Sequence, residues 1–360
     1  MANLFSSQDT IITKSIELRE MITNLSHEKI ISFDTEFIRH QTYWPVLCSI
    51  QLHTKNNSIL IDTLSKDINL QPLKIILSDD KIIKIFHAYT QDLEILNKLF
   101  NIKISNIFDT QIAASFLGYD DQISYQKLVE KILNIERDKK ERISDWSKRP
   151  LSKKQVLYAL NDVKYLYELY KPLVEKLSQE KKTNWMKEEM KLCVSKLFEK
   201  PEKQEDNYII LYKKIFDFRE EIAKKYNVPR KWVFEDKLIR DFITSKDIKN
   251  TFIKLKSDFI NLPEKNNLCE IIETYLRKNH IIKNINKNKL SSSQNKLLSK
   301  ISKYLDKTAI MYNISRGLIA NRKDIEEIIL TDFPSNKSLY GWRKKIFGNN
   351  ALIIKNGENL

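Results

Sequence analysis

The chain has 360 residues, 42% of them hydrophobic and 30% charged. That is enough apolar material for two or three packed domains and too much for a wholly disordered chain. Five glycines, scattered singly from Gly118 to Gly357, exclude a Walker loop and a GxGxxG dinucleotide turn, and with eight prolines they exclude a collagen-like sequence. The net charge of +15 is uneven: residues 1–200 carry 30 Lys and Arg against 27 Asp and Glu, residues 201–360 carry 32 against 20. A basic second half suits a polyanionic partner or a solvated lysine-rich surface, and charge alone leaves both open.

The elements follow in chain order. Helical spacing covers Ser15–Ser26, and the β-branched run Lys29–Phe37 reads as a strand. Val46–His53 and Ser58–Ile61 are further strands, close enough for an antiparallel meander. Helix Leu70–Leu77, strand Lys81–His87 and helix Gln91–Phe100 come next, then helices Asp109–Phe116, Tyr125–Leu133 and Lys153–Glu175. A mixed sheet flanked by helices is the expected α/β architecture. Strand signals fade after residue 175. Asn184–Leu197 is a helix, Glu199–Asp206 a linker, and residues 207–278 several amphipathic helices. Lys278–Asn295, rich in Lys, Asn and Ser, reads as a second linker, residues 296–348 as another helical unit, and the tail Ile353–Leu360 shows no pattern. The expected domains are residues 1–200 (α/β), 207–280 and 290–350 (both all-α).

Cys48, Cys193 and Cys269 form no CxxC pair, which fits neither a disulfide framework nor a zinc site. The N-terminus has no apolar leader and no stretch approaches 18 apolar residues. The expectation is a cytoplasmic protein with no membrane association and no obligate protein partner.

Four acidic positions carry the chemistry. Asp34 and Glu36 are two apart on ISFDTEF, so their side chains share one strand face, with Ile31, Phe33 and Phe37 in the opposite phase. Two carboxylates on one face repel unless a cation lies between them. Asp92 follows the strand KIIKIFH after a short loop. Taken alone it reads as a first-turn helix charge; beside the acidic pair it becomes a site candidate. Tyr158 and Asp162 are four apart on a helix and share a face.

In order and spacing, D-x-E on a strand, H-A-Y-T-Q-D after a strand and Y-x-x-x-D on a later helix resemble the DEDD 3′→5′ exonucleases of the tyrosine type. The stretches FDTEFIRHQTYWPVLCSIQ (33–51), KIFHAYTQDLEIL (84–96), DTQIAASFLGYDDQISYQKLVEKIL (109–133) and SDWSKRPLSKKQVLYALNDVKYL (144–166) narrow the likeness to ribonuclease D. The resemblance implies a ribonuclease H-like exonuclease domain over residues 1–200. Phe218–Phe242, Ile314–Ile329 and Gly341–Gly348 resemble HRDC modules, small helical nucleic-acid-binding domains, expected over residues 207–280 and 290–350.

Phosphodiester hydrolysis needs stabilisation of the attacking and the leaving oxygen, which two divalent cations about 3.5–4 Å apart supply. A carboxylate set without Cys or His suits Mg²⁺ or Mn²⁺. The expected ligands are Asp34, Glu36, Asp92 and Asp162, the assignment the resemblance also implies, and Tyr158 would orient the attacking water. Thr35 and Phe37, beside the acidic pair, and His87, ahead of Asp92, are candidates to line a pocket for the free 3′ terminus. Phe37 reads as core and His87 as structural, so neither joins the catalytic set. For nucleic-acid binding the candidates are Lys224, Lys225, Arg230, Lys231, Arg322, Lys323, Arg343, Lys344 and Lys345, with the neighbouring Trp232 and Trp342 as core anchors. The resemblance implies a metal-dependent 3′→5′ exoribonuclease acting on RNA with a free 3′ end, tRNA precursors above all. The alternatives are a DNA exonuclease using the same carboxylates and a non-catalytic nucleic-acid-binding protein on this scaffold. The latter would have lost a carboxylate, and all four are present.

Overall fold

The computed structural model describes residues 9–39, 41–136, 140–198, 207–239, 290–331 and 334–358, together with Asn267, Glu270 and Thr274. The α/β part contains β1 (Asp9–Ile12), α1 (Ser15–Leu25), β2 (Ile30–Ile38), β3 (Val46–His53), β4 (Ser58–Asp62), α2 (Lys74–Ser78), β5 (Ile83–Phe86), α3 (Thr90–Phe100), β6 (Ile107–Asp109), α4 (Thr110–Ser115), α5 (Tyr125–Leu133), α6 (Lys153–Gln179) and α7 (Thr183–Phe198). The strands form one sheet in the order β1-β4-β3-β2-β5-β6. β3 and β4 are antiparallel, with Gln51 opposite Leu60. β2, β5 and β6 run parallel, Ser32 opposite Ile85 and Phe86 opposite Asp109. The mixed sheet flanked by helices is therefore as the sequence predicts. β1 and β6 went unread because four and three residues are too few to show a period.

The sheet separates two cores. Ile31 and Phe33 of β2 pack with Leu18, Ile22, Ile76, Leu93 and Leu96 from α1–α3. The other face packs on α4–α7, where Ile85, Phe108, Leu166 and Leu169 join Ile301, Leu305, Ile319, Trp342 and Phe347 from the C-terminal helices. Each such fully buried side chain contributes about 1.5–3 kcal/mol. Close packing accordingly divides the chain into two units: residues 1–37, 47–199 and 290–360 in one, residues 38–46 and 200–289 in the other, as far as they are described. The expected third domain over 290–350 thus shares a core with the exonuclease part. Further ties reinforce it: Ser315 N donates to Ser115 O, and Lys182 Nζ, itself buried, donates to Phe116 O and Asn313 O at 2.8 and 2.9 Å.

The sequence LSSSQN, read as the end of a linker, is a helix start. Ser291 caps the helix Ser292–Tyr312, its Oγ accepting from Gln294 N while Gln294 returns a bond to the Ser291 amide. The tail is likewise partly helical, over Asn349–Lys355. In the second unit, α8 (Asn207–Tyr226) and α9 (Arg230–Val233) are described. The predicted linker Glu199–Asp206 and the remainder of the 207–280 module beyond Ile239 lie outside the described residues, apart from the three named. Among the described residues no helix is long and apolar enough to cross a membrane.

Candidate active site

Alternation along β2 sorts its side chains between the layers. Ile31 and Phe33 enter the core under α1–α3. On the other face Ser32 Oγ donates to Val163 O of α6 at 2.6 Å, so Asp34 and Glu36, in phase with Ser32, project toward α6. There they meet Asp162. One carboxylate oxygen from each of Asp34, Glu36 and Asp162 lies within 4.8 Å of the other two, and Asp162 is only 4% exposed.

Asp92 arrives from the opposite layer. It is the third residue of α3, 9% exposed, and Thr35, the inward-phase residue between the acidic pair, donates its hydroxyl to Asp92 Oδ1 at 2.5 Å. Burial first, then the neighbouring Asp34 charge, push its carboxyl up from the ordinary range. Asp92 stands outside the three-carboxylate cluster but electrostatically close to Asp34. The sequence offered Thr35 only as a lining residue of a 3′-terminus pocket and not as a partner of Asp92. Its position between two same-face carboxylates was the available signal.

The loop ahead of Asp92 is held by Asp109, which sequence reading passed over. Asp109 Oδ2 accepts from Tyr89 N at 2.8 Å, and Oδ1 caps α4 through Gln111 N and Ile112 N. Burial pushes its carboxyl up to about 6 against those amide donors. His87 is packed among Thr110 Oγ1 (2.9 Å), Ile123 O (3.1 Å) and the Tyr125 ring, and burial lowers it to about 4. It is a neutral structural ring, as expected.

On α6, Tyr158 lies one turn before Asp162, half-buried, with its ring 6.1 Å from that of buried Trp146. Ser152 and Gln155 form a reciprocal capping box at the helix start, and Gln155 Nε2 reaches back to Ser144 Oγ and Asp145 O. Arg149 fastens this loop to the sheet: Nε and Nη2 each reach Asp62 at 2.7 Å, and Nη2 also donates to Cys48 O at 2.6 Å. Tyr125 donates to Asp162 O at 2.5 Å. Trp146 and Arg149 entered the sequence reading only as part of the stretch 144–166 that resembles ribonuclease D, without a role of their own, because Arg149 acts through Asp62 and Cys48, far earlier in the chain, and Trp146 across a tertiary turn.

A family model described as 3′-5′ exonuclease matches residues 10–178. Ribonuclease D of Bartonella henselae is 31% identical, covering 97% of this chain and 90% of that protein. The ribonuclease D of Granulibacter bethesdensis is 32% identical over 97% of this chain and 93% of that one. The chain belongs to the ribonuclease D family. The crystal structure of Escherichia coli RNase D superposes with a TM-score of 0.80 at 22% identity, covering 97% of this chain and 99% of that one, so the two share a fold.

The basic residues predicted for this ribonuclease D family member fall into distinct surroundings. Arg343 is a correction. It is 3% exposed, forms an ion pair with Glu189 Oε2 at 2.5 Å, donates to Leu318 O at 2.8 Å and lies over the Trp342 ring. A side chain so enclosed is closed to phosphate. Lys344 and Lys345 beside it are exposed, as are Lys323 and Arg322, the latter paired with Glu326. In the second unit Lys224, Lys225 and Lys231 are exposed, whereas Arg230 is engaged with Glu220 at 3.1 Å and with the Tyr43 ring. Of the two tryptophans expected as anchors, Trp342 is buried and stacks on Trp185 at 5.6 Å, but Trp232 is 41% exposed.

Proposed function

We propose that this ribonuclease D family member, a 3′→5′ exoribonuclease, removes mononucleotides from the 3′ ends of structured RNAs, tRNA precursors above all, with two divalent cations, Mg²⁺ or Mn²⁺. The observation that carries the reading is the clustering of Asp34, Glu36 and Asp162 within 4.8 Å, with Asp92 buried alongside. The donor set fits the cofactor. All ligands are hard carboxylate oxygens, those of Asp34, Glu36 and Asp162 lie within 4.8 Å of one another, and the Asp34 charge that adds to burial in raising Asp92 is one a cation would offset. Asp34, Glu36 and Asp162 would hold one cation, and Asp34 with Asp92 the second. Bound there, the cations would activate water and offset charge on the attacking and leaving oxygens.

The chain's own residues do the positioning. Thr35 orients the Asp92 carboxylate by its hydrogen bond. Tyr158, held against Trp146 on the rigid α6, presents its phenol one turn from Asp162 and would align the attacking water without ionising. Exposed Lys224, Lys225, Lys231, Arg322, Lys323, Lys344 and Lys345 would contact phosphates, with Arg230 contributing once it leaves Glu220. A reducing cytoplasm agrees with Cys48 and Cys193 standing outside any disulfide.

A 3′-extended tRNA transcript labelled at its 5′ end tests the reading. Single-nucleotide laddering that stops near the mature end, and vanishes with EDTA or Asp34→Ala, is the expected outcome. Faster degradation of an equal-length DNA oligomer would shift the substrate to DNA. RNA that is retarded in a gel but uncut under Mg²⁺ and Mn²⁺ would refute catalysis.

A further inference from the structure

The edge of the sheet holds a cavity that the hydrolytic site leaves unused. Strand β6 comes last in the strand order and pairs with β5, so helices rather than another strand bound the space beside it. That space is a cavity of about 790 Å³, walled by β6 and the loop ahead of it, the second half of α6 and most of α7, all within the first unit. Tyr170, its first lining residue on α6, comes eight residues after Asp162, about 12 Å along the helix axis. Helical spacing explains the lining. On α7, Met186, Met190 and Val194 fall four apart and share one face, and Lys187 and Lys191 each follow a methionine by one residue, at the edge of that face. On α6, Tyr170 and Val174 have the same spacing, and the Tyr170 ring meets that of Phe108 edge-on at 4.8 Å. The walls are thus aromatic and thioether, a surface that adapts to apolar ligands. Lys103 adds a third cation from the loop ahead of β6. All three lysines are exposed, none is ion-paired among the described residues, and no Asp or Glu lines the cavity.

Apolar walls with one sign of charge at the rim select one kind of ligand. A neutral hydrocarbon would leave the three ammonium groups unused, a cation would be repelled, and a small inorganic anion would gain nothing from the walls. The volume lies within the range of about 300–1,000 Å³ that takes one small molecule. We propose that this cavity binds an amphiphilic acid, an aliphatic or aromatic body carrying one carboxylate or phosphate. The body rests on the walls made by Phe108, Tyr170, Met186 and Met190, and the head group lies among Lys103, Lys187 and Lys191. The site is separate from the carboxylates of β2, α3 and α6, and it stands whether or not they bind metal. A ligand there touches β6, α6 and α7 together, so it stabilises the folded first unit by mass action.

The test titrates the full-length protein with laurate, dodecyl phosphate and dodecanol by isothermal titration calorimetry. Two variants are run beside wild type: Lys187→Glu combined with Lys191→Glu, and Val174→Trp, which fills the cavity. The expected result is one laurate or dodecyl phosphate per chain, with a dissociation constant on the order of micromolar and dodecanol about tenfold weaker. The paired charge reversal should weaken both acids about tenfold and leave dodecanol unchanged, and Val174→Trp should abolish all binding. Binding of one acid without the other also supports the site and identifies its head group. Circular dichroism and thermal melting confirm that the variants fold; should Val174→Trp melt early, the lysine pair, at exposed positions, carries the comparison. Absence of saturable binding, equal binding of dodecanol, or acid binding that survives the charge reversal overturns the proposal. So does a wild-type dimer in sedimentation equilibrium that Val174→Trp dissociates, which would give the cavity to a second copy of the chain.

Discussion

Replacing Arg343 by methionine separates a structural role from an RNA-binding one. The guanidinium pairs with Glu189 at 2.5 Å, the two side chains being 4% and 8% exposed, and also donates to Leu318 O. Methionine fills similar space but leaves the Glu189 carboxylate buried without its cation, and breaking a buried pair from one side costs about 3–5 kcal/mol. At a few degrees per kcal/mol, the melting temperature of the first unit should fall by roughly 6–15 °C. Differential scanning calorimetry or circular dichroism reads this directly. A Glu189→Met, Arg343→Met double variant removes both charges and should recover most of the loss, since a well-packed apolar pair is often no worse than the ion pair. Lys344→Ala and Lys345→Ala, at exposed positions, should change stability by under about 0.5 kcal/mol. Each should instead weaken RNA binding and flatten its dependence on log salt concentration by somewhat less than one. The reasoning is refuted if Arg343→Met melts with wild type, or if the double variant is no better than the single.

Three more outcomes follow from the geometry. On the proposed role of its phenol in aligning water, Tyr158→Phe should lower kcat by about 10²-fold with little change in KM; unchanged single-turnover rates would remove it from the site. Arg149→Lys should destabilise the loop before α6 and lower activity, since one ammonium cannot reproduce the bidentate bond to Asp62 and the bond to Cys48 O; hydrogen exchange at residues 144–152 reads the loosening. His53 and His87 are both lowered by burial to about 4. The unfolded chain takes up their protons near 6.5 and the folded chain does not, so stability is intact above pH 6.5 and is lost as pH falls toward 4, by up to about 3 kcal/mol per ring. Denaturant titrations at pH 7, 5.5 and 4.5 measure the slope, which His53→Gln should reduce.

The sequence by itself carried the α/β order, the shared face of Asp34 and Glu36, and the one-turn spacing of Tyr158 and Asp162, because strand and helix periods dictate these locally. It also carried the family, since the residues around each carboxylate are contiguous. Tertiary structure alone decided the rest. Asp92 was a site candidate in the sequence, but only the fold shows that it comes from the layer opposite Asp162 and is bonded to Thr35 outside the three-carboxylate cluster. Trp342 and Trp232 look alike in sequence beside basic residues, yet one is enclosed and the other exposed; a short apolar–basic run has no period that says which way it faces. Arg343 looked like its lysine neighbours until the fold placed Glu189 against it, more than 150 residues earlier in the chain. Long-range pairing of that kind leaves no local trace, because each partner is an ordinary helix residue until the fold brings the two charges together.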